Sequence, residues 1–148
     1  MLNRTTNDNI THLLENEIFV FGSNESGRHR KGAARTAMKW GAKYGQSDGW
    51  QGRTYGIPTV NASISKSLTI PKIKTYVDRF IDFAIENPQL TFLVTEIGCG
   101  LAGLSYKDIA PLFDNAINIQ NIHLPNRFWK KLLNWLYGNT SNRKNNSN

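Results

Sequence analysis

Residues Ile18–Ala34, IFVFGSNESGRHRKGAA, constrain this chain more than any other stretch. Ile18, Phe19, Val20 and Phe21 are continuous and apolar, as in a strand buried on both faces, which is expected over Glu17–Phe21. A polar loop follows, then a Gly-Ala-Ala run that reads as a helix start. This order is a common way to build a phosphate site. Loop N–H groups and the positive end of the helix converge on one spot. Gly22, Gly27 and Gly32 permit close backbone approach there. The spacing is neither GxxxxGK[ST] nor GxGxxG, and a plain strand–turn–helix junction is the competing reading.

A second stretch repeats the arrangement. Leu90–Thr95 is strand-like and runs into IGCGLAG, Ile97–Gly103, ahead of a helix expected over Tyr106–Asn115. In a parallel sheet, ligands lie beyond the carboxyl ends of the strands. Two strand-to-glycine junctions in 148 residues therefore read as two walls of one cleft.

The rest of the chain supplies the frame. Residues 1–16 are polar, with a turn of helix expected near Leu13-Leu14. A helix is expected from Arg30 to Lys43, with Ala34, Ala37, Met38 and Gly41 facing the core and Arg35, Lys39 and Lys43 on another face. Tyr44–Arg53 reads as a loop whose Trp50 plugs the core or stacks on a base, with the core preferred. Thr54–Thr59 is a short strand, its Pro58 marking an end or an edge, and Val60–Leu68 is a loop over the cleft. Thr69 caps a helix with Pro71 in its first turn, and Asn87-Pro88 ends it. Ile73, Val77, Phe80, Ile81 and Ala84 form its apolar face. Asn121–Leu124 is a last strand. Asn126 caps an amphipathic helix bearing Phe128, Leu132, Trp135 and Leu136 and stopped by Gly138. Residues 1–137 thus read as one domain, and 138–148 as a disordered polar tail. Alternating β and α segments predict an α/β fold: a mostly parallel central sheet in three layers, helices on both faces.

A net charge of +7 favours anionic partners. Arg28, Arg30, Lys31, Arg35, Lys39 and Lys43 fall together with no acid between them. A nucleic-acid-binding module using this basic helix is one function class, although no helix-turn-helix, zinc-finger or RNP pattern accompanies it. No apolar run approaches the roughly 18 residues of a membrane span, so no membrane partner is expected. The leader MLNRTTNDN has no apolar signal core, so a cytoplasmic location is expected. One cysteine and three scattered histidines, His12, His29 and His123, build no metal site, and no cofactor is implied. In its strand, His123 reads as structural.

Together the two glycine stretches resemble the macrodomain superfamily, the ADP-ribose-binding fold, in its terminal ADP-ribose glycohydrolase-like branch. The likeness runs in order from about Ile18 to Leu124, with the two loops as its specific parts. It implies a three-layer macrodomain-like fold and binding of ADP-ribose or an ADP-ribosylated substrate, with recognition or hydrolysis of the ADP-ribosyl group. A protein that sequesters a free ADP-ribose-type signal is the non-enzymatic version. The residues it implies at the ligand are Gly22, Ser23, Asn24, Gly27, Lys31, Gly32, Ala33 and Ala34, then Thr59, then Ile97, Gly98, Cys99, Gly100, Leu101, Ala102 and Gly103.

The chain departs from that branch where chemistry is concerned. The branch carries a lysine after the strand matching Tyr55–Thr59 and an aspartate after the leucine of IGCGL. Here these positions are Val60 and Ala102, which can neither attack nor ionise. The branch's lysine-adduct route is therefore not expected. A water-based route would draw on Asn24 to orient water, or merely to close an Asx-turn, and on His29 as acid or base. Cys99 between two glycines has no visible base and reads as a small residue beside a ligand. Glu96 reads as an edge carboxylate. The Gly-Asp turn that places an acid near adenine in usual macrodomains is not recognisable in residues 1–16.

Overall fold

The computed structural model describes residues 2–134. Its six strands are β1 (Thr5–Thr6), β2 (Glu17–Asn24), β3 (Gly49–Gln51), β4 (Thr54–Val60), β5 (Thr91–Val94) and β6 (Ile122–Pro125). They form one sheet in the order β1-β6-β5-β2-β4-β3, parallel throughout except for β3 against β4. Parallel neighbours need crossover connections. These are α1 (Gly32–Ala37), α2 (Ile70–Glu86) and α3 (Tyr106–Ile109), the last continued by a 3-10 turn over Ala110–Ala116. Helix α4, residues 126–134, follows β6. The architecture is α/β with a mostly parallel sheet, as expected.

Alternate residues of β2 serve opposite faces. Ile18 and Val20 join a large core with Ile73, Val77 and Phe80 of α2, Phe113 of the 3-10 turn and Phe128 of α4. Phe19 and Phe21 join a small one with Ala34 and Ala37 of α1, flanked by Ile10, Leu13 and Trp40. Helices thus cover both faces unequally. Helix α2 buries Ile73, Val77, Phe80, Ile81 and Ala84, the face its spacing predicts. Full burial of a side chain such as Phe80 stabilises by about 1.5–3 kcal/mol. Pro71 lies in the first turn and Asn87 ends the helix, while Thr69 holds the N-cap position without a side-chain bond.

Several expectations need correction. Leu13-Leu14 is not helical, and Leu14 is exposed. The leader instead contributes a 3-10 turn, Leu2–Arg4, and the edge strand β1. Buried Arg4 anchors it, donating to the carbonyls of Ala116 (2.9 Å), Ile117 (2.7 Å) and Ile119 (2.6 Å), while the Trp129 indole N–H donates to the Arg4 carbonyl at 2.7 Å. The helix expected to reach Lys43 ends at Ala37 and passes through a 3-10 turn to Gly41, held left-handed at φ 100°. Met38, expected in the core, is 41% exposed. The Tyr44–Arg53 loop contains β3, and its Trp50 lies 53% exposed with its ring against Phe83. Pro58 sits mid-strand in β4, beyond the residues that β3 pairs, where its missing N–H costs no ladder bond. The expected Tyr106–Asn115 helix is α only as far as Ile109. The expected tail at 138–148, and Trp135, Leu136 and Gly138, lie outside the described residues. Among the described residues no helix is long and apolar enough to cross a membrane.

Candidate functional site

Neighbours β2 and β5 send the chain in opposite directions: from β2 to β4 on one side, from β5 to β6 on the other. That makes a switch point, where diverging loops leave a crevice beyond the carboxyl ends. The loops after these two strands are the two glycine-bearing stretches.

The structure brings part of the predicted set together. Gly22 lies in β2 rather than in a loop. A Cβ on Gly22 would sit 3.4 Å from the Gly98 nitrogen and 3.5 Å from both Ile97 Cα and Thr59 Oγ1. Thr59 is the extra residue in a bulge, since Ser23 pairs with Pro58 and Asn24 with Val60. Across the gap, a Cβ on Gly32 would sit 3.5 Å from Leu101 Cδ1, and Gly32 itself is left-handed at φ 59°. The two loops therefore meet at their bases and at the Leu101 tip.

The first loop uses its polar groups on itself. Asn24 Oδ1 accepts from the Arg28 N–H and the Ser26 hydroxyl, and Asn24 Nδ2 donates to the Arg28 carbonyl, each at 2.9 Å. Ser23 Oγ donates to the Ser47 carbonyl. His29 is only 3% exposed, its ring edge-on to Phe21, and its Nε2–H donates to the Gln46 carbonyl at 2.9 Å. Gly27, at φ 69°, packs so closely that a Cβ would lie 2.5 Å from the Gly45 carbonyl carbon. Ala34 is core. Ser23, Asn24, His29 and Ala34 thus place their side chains inside the protein and Gly27 packs against Gly45 and Gln46, where the sequence leads one to expect contact with a ligand. Asn24 closes a turn, and His29 is buried with its Nδ1 unpartnered among the described residues. Lys31 is exposed ahead of α1, whose six residues make only a short dipole.

The second loop is built differently. Among the described residues, the N–H groups of Gly98, Gly100, Leu101 and Ala102 donate to no backbone carbonyl. A Cβ at Gly100 or Gly103 would meet nothing within 4 Å, and Leu101 is 77% exposed. Cys99 Sγ–H donates to the Ile97 carbonyl at 3.4 Å. Burial, with the Glu96 carboxylate second, pushes its thiol up to about 11, so it is a poor nucleophile near neutral pH.

A cleft of about 580 Å³ opens beside this loop on the thin face of the sheet. Ala33 and Thr36 of α1 form one wall. Thr95 and Glu96 after β5, with Asn126 and Arg127 after β6, form another. Asn7, Asp8 and Asn9, following β1, close the end. Arg127 is ion-paired to Glu96 and lies over the Tyr106 ring, 4.6 Å from its centroid. Of the predicted ligand residues, only Ala33 lines this cleft directly. Asn7–Asn9, Thr95, Thr36 and Arg127 were not anticipated. The signal for Asn7–Asn9 is an acid-and-amide run after Thr5-Thr6, a strand too short to show a period, and Thr36, Thr95 and Arg127 carry none. His12 is exposed. Burial, with the Arg4 guanidinium second, pushes the half-buried His123 imidazole down, in keeping with a structural role. Among the described residues no three His, Cys, Asp or Glu side chains gather as a metal site would require.

Comparisons of the chain with protein-family models, with curated proteins and with solved structures find no match.

Proposed function

We propose that this chain binds ADP-ribose or a related ADP-ribosyl nucleotide beyond the ends of β2 and β5, and recognises or sequesters the group without hydrolysing it. The observation that carries this reading is the set of N–H donors at Gly98, Gly100, Leu101 and Ala102 that meet no backbone carbonyl among the described residues, in the loop that follows Thr95 and Glu96 in the wall of a cleft of about 580 Å³. Unpaired N–H groups in a glycine-rich loop suit a pyrophosphate. The volume lies within the range of small-molecule pockets. Asp8, with Asn7 and Asn9, offers a carboxylate acceptor and amide groups for a nucleobase edge. Asn24 and His29 are buried and internally bonded, and Val60 and Ala102 stand at the two positions where the resembled branch has its reactive pair. This favours binding over turnover.

Calorimetry with ADP-ribose, AMP and NAD tests the reading. The expected outcome is a dissociation constant near 1 μM for ADP-ribose, about −8 kcal/mol, with no ADP-ribose released from ADP-ribosylated protein. Absence of both heat and thermal shift at millimolar ADP-ribose rejects the binding site. Turnover rejects its non-enzymatic character.

A further inference from the structure

The basic helix expected over residues 30–43 does not exist as one surface. Helix α1 ends at Ala37, and Lys43 follows the left-handed Gly41, so Arg35, Lys39 and Lys43 share no helix face. A different basic surface is assembled by the fold. Lys107 in α3 and Arg127, Lys130 and Lys131 in α4 line one groove of about 470 Å³ with Tyr106 and Asn134. No carboxylate lines it among the described residues. Arg127, the two lysines and Asn134 recur every three to four residues along one side of α4. At 1.5 Å per residue they span about 10 Å.

Arg127 is the fixed member of the set, held between the Glu96 carboxylate and the face of Tyr106. Lys107, Lys130 and Lys131 make no ion pair among the described residues. The groove therefore holds three lysines without an ion pair among the described residues, beside the contact of the Arg127 guanidinium with the face of the Tyr106 ring.

We propose that this groove docks single-stranded nucleic acid, the cations meeting its phosphates and the Tyr106–Arg127 stack giving a base a planar surface. Guanidinium planes and aromatic rings are the usual platforms for unstacked bases. An acidic peptide would meet the charges and leave the stack unused. A duplex keeps its bases stacked and would likewise leave that contact unused. The inference stands independently of the nucleotide cleft, although Arg127 borders both.

The test is fluorescence anisotropy of labelled oligo(dT) and oligo(U), about 12 nucleotides long, titrated with the full chain at several salt concentrations. Three or four neutralised phosphates predict that log affinity falls with log salt at a slope of about −2 to −3. Lys130→Glu with Lys131→Glu is expected to weaken binding at least about tenfold and to flatten that slope. Lys107→Glu, on the opposite wall, should reproduce the loss without touching α4. Arg35→Glu with Lys39→Glu should leave binding intact. The proposal is overturned by no binding at low salt or by unchanged binding in both groove variants. A loss confined to the α1 variant, or equal binding of a duplex or an acidic peptide, also overturns it.

Discussion

The loop after β2 and the loop after β5 look alike in sequence: each follows a buried strand, each is rich in glycine, and each precedes a helix. They differ in where their hydrogen bonds go. The first turns its polar side chains onto the protein. Asn24 spans it, Gly27 is pressed against Gly45 and Gln46, and His29 is tied to Gln46 beneath it. The second leaves Gly100 and Gly103 with no neighbour in Cβ range, while both loops keep N–H groups without a backbone acceptor among the described residues. A glycine pattern therefore has two physical meanings. It admits another part of the same chain in one loop and borders open space in the other.

The sharpest way to break this contrast is a matched pair of substitutions. Gly27→Val forces a branched side chain into a left-handed position where backbone atoms lie 2.5–2.8 Å from the new Cβ. Its expected cost exceeds about 4 kcal/mol, read as a collapse of the urea midpoint or loss of soluble protein. Gly100→Val meets open space without a positive φ, so its stability should change by less than about 0.5 kcal/mol. ADP-ribose affinity, by contrast, should fall at least about tenfold, a loss of roughly 1.4 kcal/mol. Equal stability in the two variants would erase the distinction between the loops.

A smaller effect is expected from Asn24→Ala. It removes three hydrogen bonds that close the first loop. Roughly 2 kcal/mol should be lost by denaturant titration, with ADP-ribose still bound by the fraction that stays folded. A stable variant that no longer binds would return Asn24 to the ligand.

The smallest effect concerns Cys99, whose thiol is raised to about 11. A raised thiol carries less thiolate at neutral pH, so alkylation by iodoacetamide should be slow at pH 8. It should quicken by about tenfold per pH unit until the thiol titrates, since thiolate is the reacting form. Saturating ADP-ribose should slow it further. A fast reaction near pH 7 would show that the second loop is more open, and its cysteine more activated, than the structure has it.

Much of the fold was legible from periodicity. The apolar face of α2, its proline start and its Asn87 stop follow from side-chain spacing and local backbone rules, which act within a few residues. The strands β2, β4, β5 and β6 were legible because continuous apolar runs have few other places to go. Strands β1 and β3, of two and three residues, were not, because pairing with distant partners defines them and a short run carries no period. Local propensity carries helix α1 past its observed end at Ala37, because Ala, Met, Lys and Trp all permit helix. The left-handed turn at Gly41, with the Ala42 N–H closing back onto the Ala37 carbonyl, ends it.

By itself, then, the sequence determined an alternating α/β chain with a parallel sheet and two glycine loops at strand ends. Those features arise from local propensity and from the need to bury apolar runs. Tertiary structure alone decided which loop is pressed against another segment, because Gln46 and Gly45, the partners of His29 and Gly27, arrive from elsewhere in the chain. It alone brought Asp8, Ala33, Glu96 and Arg127 to one cleft and Lys107 to the lysines of α4. These residues lie on separate segments, and no local rule encodes the distance between side chains that meet only when the sheet closes.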